Sequence, residues 1–69
     1  MSYKRLLHLA EIGAKRELEK ALIEFEVLHL KSETSPVDMD VYDNALVTID
    51  KTTDEYRELT HLIKALESF

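Results

Sequence analysis

The segment A-L-I-E-F-E-V-L-H-L, residues 21–30, decides the fold because it fits both a strand and a helix. At every second position, Ile23 and Val27 belong to an alternation with glutamates that is typical of a half-buried strand. At every third or fourth position, Ala21 and Phe25 line one side of a helix. The sequence on either side of the segment has to separate these two possibilities.

An apolar stripe through the first half of the chain favours the helix. Its spacing averages close to the 3.6 residues of a helical turn, and it begins well before the ambiguous segment. The stripe consists of Tyr3, Leu7, Ala10, Ala14, Leu18, Ala21, Phe25 and Leu28. We therefore predict a helix over about residues 2–31. The alternative is an α+β fold in which residues 23–27 and 45–49 pair as strands.

The second half predicts another helix, over about residues 36–68. Ser35 is a suitable N-cap, Pro36 suits the first helical position, and Asp38 stands where a capping box places an acid. Apolar positions then follow at alternating spacings of three and four, as in a coiled coil. They are Tyr42, Ala45, Ile49, Thr52, Tyr56, Leu59, Ile63 and Leu66. With a loop at residues 32–35, the fold class is all-α: a single domain over residues 1–69, built as an antiparallel helical hairpin.

Antiparallel packing sets which residues lie at the same level of the hairpin. With a short loop, the residue numbers of facing positions should sum to about 69, which places Ala10 and Ala14 opposite Leu59 and Tyr56. Gly13 is unfavourable inside a helix. Either the Tyr56 ring approaches the backbone at Gly13, or the helix tolerates the glycine without such a contact.

Composition narrows the class of protein. The 69 residues include no cysteine, so disulfides and thiolate zinc sites are excluded, and a chain this short is marginally stable unless it associates. A net charge of −5 argues against general affinity for nucleic acid or anionic membranes. No apolar run is long enough for a signal peptide or a membrane span, so we expect a cytoplasmic protein.

A second apolar stripe lies on nearly the opposite side of the first helix. It comprises Leu9, Ile12, Ile23, Val27 and Leu30, and Arg16 and Lys20 interrupt it midway, so it consists of two apolar patches joined by a basic segment. One partner helix cannot cover both stripes. We predict that this stripe is an interface with a second copy or another protein, most simply in a homodimer that forms a four-helix bundle or a larger oligomer. The predicted function is that of a small accessory, adaptor or inhibitor protein. The acidic residues near the loop are an alternative binding surface for a basic partner.

A basic patch on the first helix supports an alternative function. Its residues are Lys4, Arg5, Lys15, Arg16 and Lys20. In architecture the hairpin resembles the Rop type of RNA-binding hairpin dimer, without a shared motif. That resemblance in shape implies a regulator that binds nucleic acid through this patch.

The sequence does not predict catalytic, metal-binding or cofactor-binding residues. Two E-x-x-H pairs, Glu26 with His29 and Glu58 with His61, have the spacing found in di-iron bundles, but they point away from the predicted contact between the helices. His8 and His61 flank that contact at one level, where ordinary surface histidines are expected. Residues 38–44 lack the glycine and the final glutamate of a calcium loop. Phosphate-loop and hydrolase motifs are absent, so we predict a protein that is not an enzyme.

Overall fold

The chain folds into two antiparallel helices, and the prediction of an all-α hairpin is confirmed. The computed structural model describes residues 2–68. Helix α1 spans Tyr3–Ser32, helix α2 spans Met39–Glu67, and residues 33–38 join them. No strand occurs within the described residues. Assembly of hairpins into a bundle stays a prediction.

The ambiguous segment is helical along its whole length. Ala21 is buried and Phe25 is half-buried, whereas Ile23 keeps 60% of its surface exposed. Residues 45–49, the other strand of the α+β alternative, lie inside α2. That alternative is therefore wrong, because the helical stripe that continues through the segment outweighs the local alternation.

The two apolar stripes meet in a seam, the line of contact between α1 and α2. Within residues 2–68, its buried apolar residues are Leu7, Ala21 and Ile63, and Thr52 is the buried polar one. The Thr52 hydroxyl donates to the backbone carbonyl of Thr48 over 2.8 Å, so the buried hydroxyl has a hydrogen-bond partner. Most other predicted seam positions are half-buried.

Three predicted seam positions are exposed instead. Tyr3 and Leu66 lie in the terminal turns, where the other helix has no further turn to cover them. Ala10 is exposed because it lines an open groove described below. Burial at these positions was predicted wrongly.

The register of the hairpin agrees with the predicted levels. Near the loop, the rings of Phe25 and Tyr42 meet edge to face with their centroids 6.0 Å apart. Near the open end, the Thr60 hydroxyl donates to Oε2 of Glu11 over 3.2 Å. The residue numbers of these pairs sum to 67 and 71, on either side of the predicted 69.

The second helix begins three residues later than predicted. Asp38, not Ser35, is its N-cap, and the Asp38 carboxylate accepts a hydrogen bond from the backbone N–H of Asp40 over 3.2 Å. The backbone N–H of Ser35 instead donates to the carbonyl of Lys31 and closes the end of α1. Because Ser35 completes the turn that ends α1, Pro36 and the next two residues cross to α2 in a non-helical conformation.

The hairpin is long and thin. Its extents are 52 × 16 × 14 Å, and its radius of gyration is 15.8 Å. A compact domain of this length has a radius of gyration of about 11 Å. The accessible surface is 5564 Å², roughly 1,000 Å² more than the about 4,500 Å² of a compact chain with the same mass. The seam alone therefore buries much less surface than a globular core does.

Candidate interaction surfaces

The second apolar stripe of α1 faces away from α2. We call it the outer face: Leu9, Ile12, Ile23, Val27 and Leu30. Each of these residues exposes between 45% and 60% of its surface. At about 100° per residue, the outer face lies nearly opposite the seam, so no side chain of the same hairpin can cover it.

The predicted basic patch is spread over two sides of α1. All five of its residues are exposed. At about 100° per residue, Arg5, Arg16 and Lys20 fall on the outer face, whereas Lys4 and Lys15 fall roughly 100° away, beside the seam. The Lys4 ammonium lies 4.0 Å from a carboxylate oxygen of Glu67. The five cations therefore do not share one side of the helix.

One side of the hairpin carries two concavities along the seam, and we call it the groove flank. The concavity nearer the open end encloses about 500 Å³. From α1 it takes Ala10, Gly13, Ala14 and Glu17, and from α2 it takes Glu55, Glu58, Leu59 and Leu62. We call this concavity the acidic groove, because its rim carries three glutamates and its lining includes no lysine or arginine.

The second concavity continues the same flank toward the loop. It encloses about 290 Å³, and α1 contributes Ala21, Glu24 and Leu28. From α2 come Val41, Asn44, Ala45 and Thr48. At about 100° per residue, both concavities occupy the same sector of each helix, so they lie in line on one side of the hairpin. Together they run from Ala10 to Leu28 of α1, a distance of roughly 27 Å at 1.5 Å per residue.

The opposite side, the bridged flank, is closed by polar side chains that reach across the seam. Besides the Thr60–Glu11 hydrogen bond, Nε2 of His8 lies 3.9 Å from Oε1 of Glu67. Nδ1 of His8 lies 3.7 Å from Oε1 of Glu11. At the same level, Arg57, His61 and Lys64 line a depression of about 250 Å³ with Tyr56 and Thr60. This flank therefore combines cross-helix polar contacts with a basic depression.

The glutamates of the groove flank lack close contacts with basic side chains among the described residues. Within residues 2–68, the carboxylates with a lysine or histidine nitrogen within 4.0 Å are those of Glu11 and Glu67, whose neighbours are Lys4 and His8, all on the bridged flank. Glu17, Glu24, Glu55 and Glu58 take part in none of these contacts. None of these carboxylates therefore has a lysine, arginine or histidine nitrogen of the described residues within 4.0 Å.

The acidic groove was missed at the level of sequence, although a signal for it was present. Ala10 and Ala14 lie beside Leu59 as predicted, and these small side chains line a concavity. A Cβ added to Gly13 would have no heavy atom within 4 Å, so of the two alternatives the approach of the Tyr56 ring is wrong. Gly13 is a tolerated helix glycine. Three small residues on one side of α1, next to leucines of α2, are the pattern that indicates the groove.

The E-x-x-H pairs do not come together. Glu58 lines the acidic groove, whereas His61 lines the depression on the bridged flank. Among residues 2–68, no three histidine, aspartate or glutamate side chains are grouped closely enough to hold a metal ion. The same residues include no helix that could cross a membrane.

No protein-family model, curated protein or solved structure matches the chain significantly. What the protein binds must therefore be inferred from its own surfaces.

Proposed function

We propose that this protein is a small, non-enzymatic interaction protein that acts through helical contacts as a homo-oligomer. The simplest form is a dimer in which the outer faces of two α1 helices pack together. The assembled hairpins then bind another protein as an adaptor, accessory or inhibitor.

The observation that carries this proposal is the extra exposed surface of the hairpin. A single chain exposes roughly 1,000 Å² more than a compact chain of equal mass. A standard protein interface removes about 800 Å² from each partner. Association of two hairpins can therefore bring the buried surface per chain close to that of an ordinary domain.

The small number of buried apolar residues in a single hairpin supports the same proposal. Only three apolar residues are buried within residues 2–68, whereas the five apolar residues of the outer face remain about half exposed. A chain this short with no cysteine has a marginal core, and additional burial by association would stabilise it. The outer face is the surface that offers it without disturbing the seam.

Light scattering combined with an aspartate substitution tests this proposal. The wild-type protein is expected to have twice the chain mass of 8.0 kDa at micromolar concentration. Val27→Asp places a charge between Ile23 and Leu30 of the outer face, where an unpaired charge is costly on burial, and should give the monomer mass. Circular dichroism of the variant checks that the helices are retained.

Val47→Asp is the matched control. Val47 is also an exposed helical valine, but it lies on α2 and outside the outer face. Its substitution should leave the dimer mass unchanged. A monomeric wild type, or a Val27→Asp variant that keeps the dimer mass, would contradict the proposal.

A further inference from the structure

We propose that the acidic groove is a docking site for a cationic amphipathic helix of a partner protein. The inference rests on the proposed function only in treating the chain as an interaction protein, because the surface involved is not the outer face. It names the chemistry of the partner: apolar side chains on one face of a helix, with lysines or arginines beside them.

The shape of the groove flank fits a helix. Two concavities lie in line over roughly 27 Å of α1, which is the length of a helix of about 18 residues. The floor is built from Ala10, Ala14 and Leu59, and the open space over Gly13 lets another chain approach the backbone. Binding of an amphipathic helix in an apolar groove is a common mode of peptide recognition.

The negative charge on the rim of the acidic groove favours a cationic helix as the partner. Glu17, Glu55 and Glu58 stand on the rim, and the described residues provide none of them with an ion-pair partner. A lysine or arginine beside the apolar face of the incoming helix would meet these carboxylates. Such complementarity raises the association rate and suppresses acidic partners.

A second copy of this chain fits the groove less well. A two-fold contact centred on the groove would bring Glu17, Glu55 and Glu58 close to their own equivalents, which is repulsive. The basic depression on the bridged flank of a second copy carries positive charge that could meet these glutamates. However, its lining contains only Tyr56 as a large apolar side chain, so it cannot fill an apolar floor.

Titration with a synthetic peptide tests the inference. The probe is a helical peptide of about 18 residues, with leucines at every third or fourth position and lysines on both sides of that stripe. A companion peptide carries glutamates in place of the lysines. Fluorescence anisotropy should give saturable binding of the cationic peptide to the full chain and none of the acidic one.

Two substitutions locate the binding site by its charge. Glu55→Lys with Glu58→Lys should weaken the cationic peptide at least about tenfold, because two attractive contacts become repulsive. Asp43→Lys with Asp50→Lys makes the same change of net charge at exposed positions on the side of α2 that is turned away from the seam. This control should weaken binding by less than about threefold, since distant exposed charges are largely screened.

A third substitution blocks the groove without changing charge. Gly13→Leu places an isobutyl group where the structure has open space, and it should reduce affinity at least about tenfold. Ala65→Leu places the same side chain at an exposed position outside the groove and should leave affinity unchanged. Circular dichroism confirms that each variant keeps its helices.

Three results would overturn the inference. The first is that the cationic peptide does not bind. The second is that the groove variants and the control variants lose affinity equally, because equal losses would indicate only a general attraction between the peptide and an acidic protein. In the third result, groove variants would change the mass in light scattering, which would make a second copy the occupant. The outer-face dimer is judged separately by the mass of Val27→Asp, so failure of one proposal is distinguishable from failure of the other.

Discussion

On the bridged flank, side chains from both helices reach across the seam, whereas on the groove flank they stop short of it. The bridged flank joins Thr60 to Glu11 and His8 to Glu67. The groove flank sets Ala10, Gly13 and Ala14 beside the leucines of α2. The same two backbones thus give a closed side and an open side, and the length of the facing side chains makes the difference.

Truncation of Ile63 should have the largest effect because this residue lies in the seam, between the two flanks. Ile63 exposes only 5% of its surface, and Ile63→Ala should lower the free energy of unfolding by about 2–5 kcal/mol. That is a large fraction of the total stability of a chain this short. Urea unfolding followed by circular dichroism measures it.

Leu46→Ala is the control for the seam. Leu46 is 51% exposed, so its truncation should change the free energy of unfolding by no more than about 0.5 kcal/mol. Equal losses in the two variants would mean that burial in the seam does not determine stability.

The cross-helix hydrogen bond of the bridged flank should have an intermediate effect. The Thr60 hydroxyl lies 3.2 Å from Oε2 of Glu11 and 2.9 Å from the carbonyl of Tyr56, and its single proton serves one acceptor at a time. Thr48, on the groove flank, makes only the bond within its own helix. Thr60→Val should therefore cost about 1 kcal/mol more than Thr48→Val. Urea unfolding of both variants measures the difference.

A double-mutant cycle assigns this cost to the contact across the seam. Thr60→Val and Glu11→Ala, alone and combined, should show a coupling of about 0.5–1 kcal/mol. Additive losses would contradict the view that the bridged flank is held by this bond.

Gly13→Ala should have the smallest effect, and its sign should be opposite. Glycine in a helix interior costs about 0.5–1 kcal/mol relative to alanine, and the added methyl group would enter open space. The variant should raise the free energy of unfolding by that amount. Ala10→Gly, at a nearby exposed position, should lower it by a similar amount. A loss of stability in Gly13→Ala would show that the groove flank is more tightly packed than its open space indicates.

Much of the fold could be predicted from the sequence because it depends on local periodicity. The stripe from Leu7 to Leu28, and its counterpart on α2, repeat often enough to identify two helices and the seam between them. The register followed because a short loop allows little freedom in pairing, as the Phe25–Tyr42 contact illustrates. The start of α2 was wrong because Ser35 and Asp38 are both good caps, and only the path of the chain across the loop selects between them.

The sequence by itself determined two amphipathic helices, their antiparallel pairing and an outer face that α2 cannot cover. Those properties follow from the spacing of residues along one helix. Only the tertiary structure decided that one flank is bridged and that the other is open, with glutamates standing around an apolar floor. That distinction depends on whether side chains from two helices reach each other, which is a matter of distances between helices and not of spacing within one.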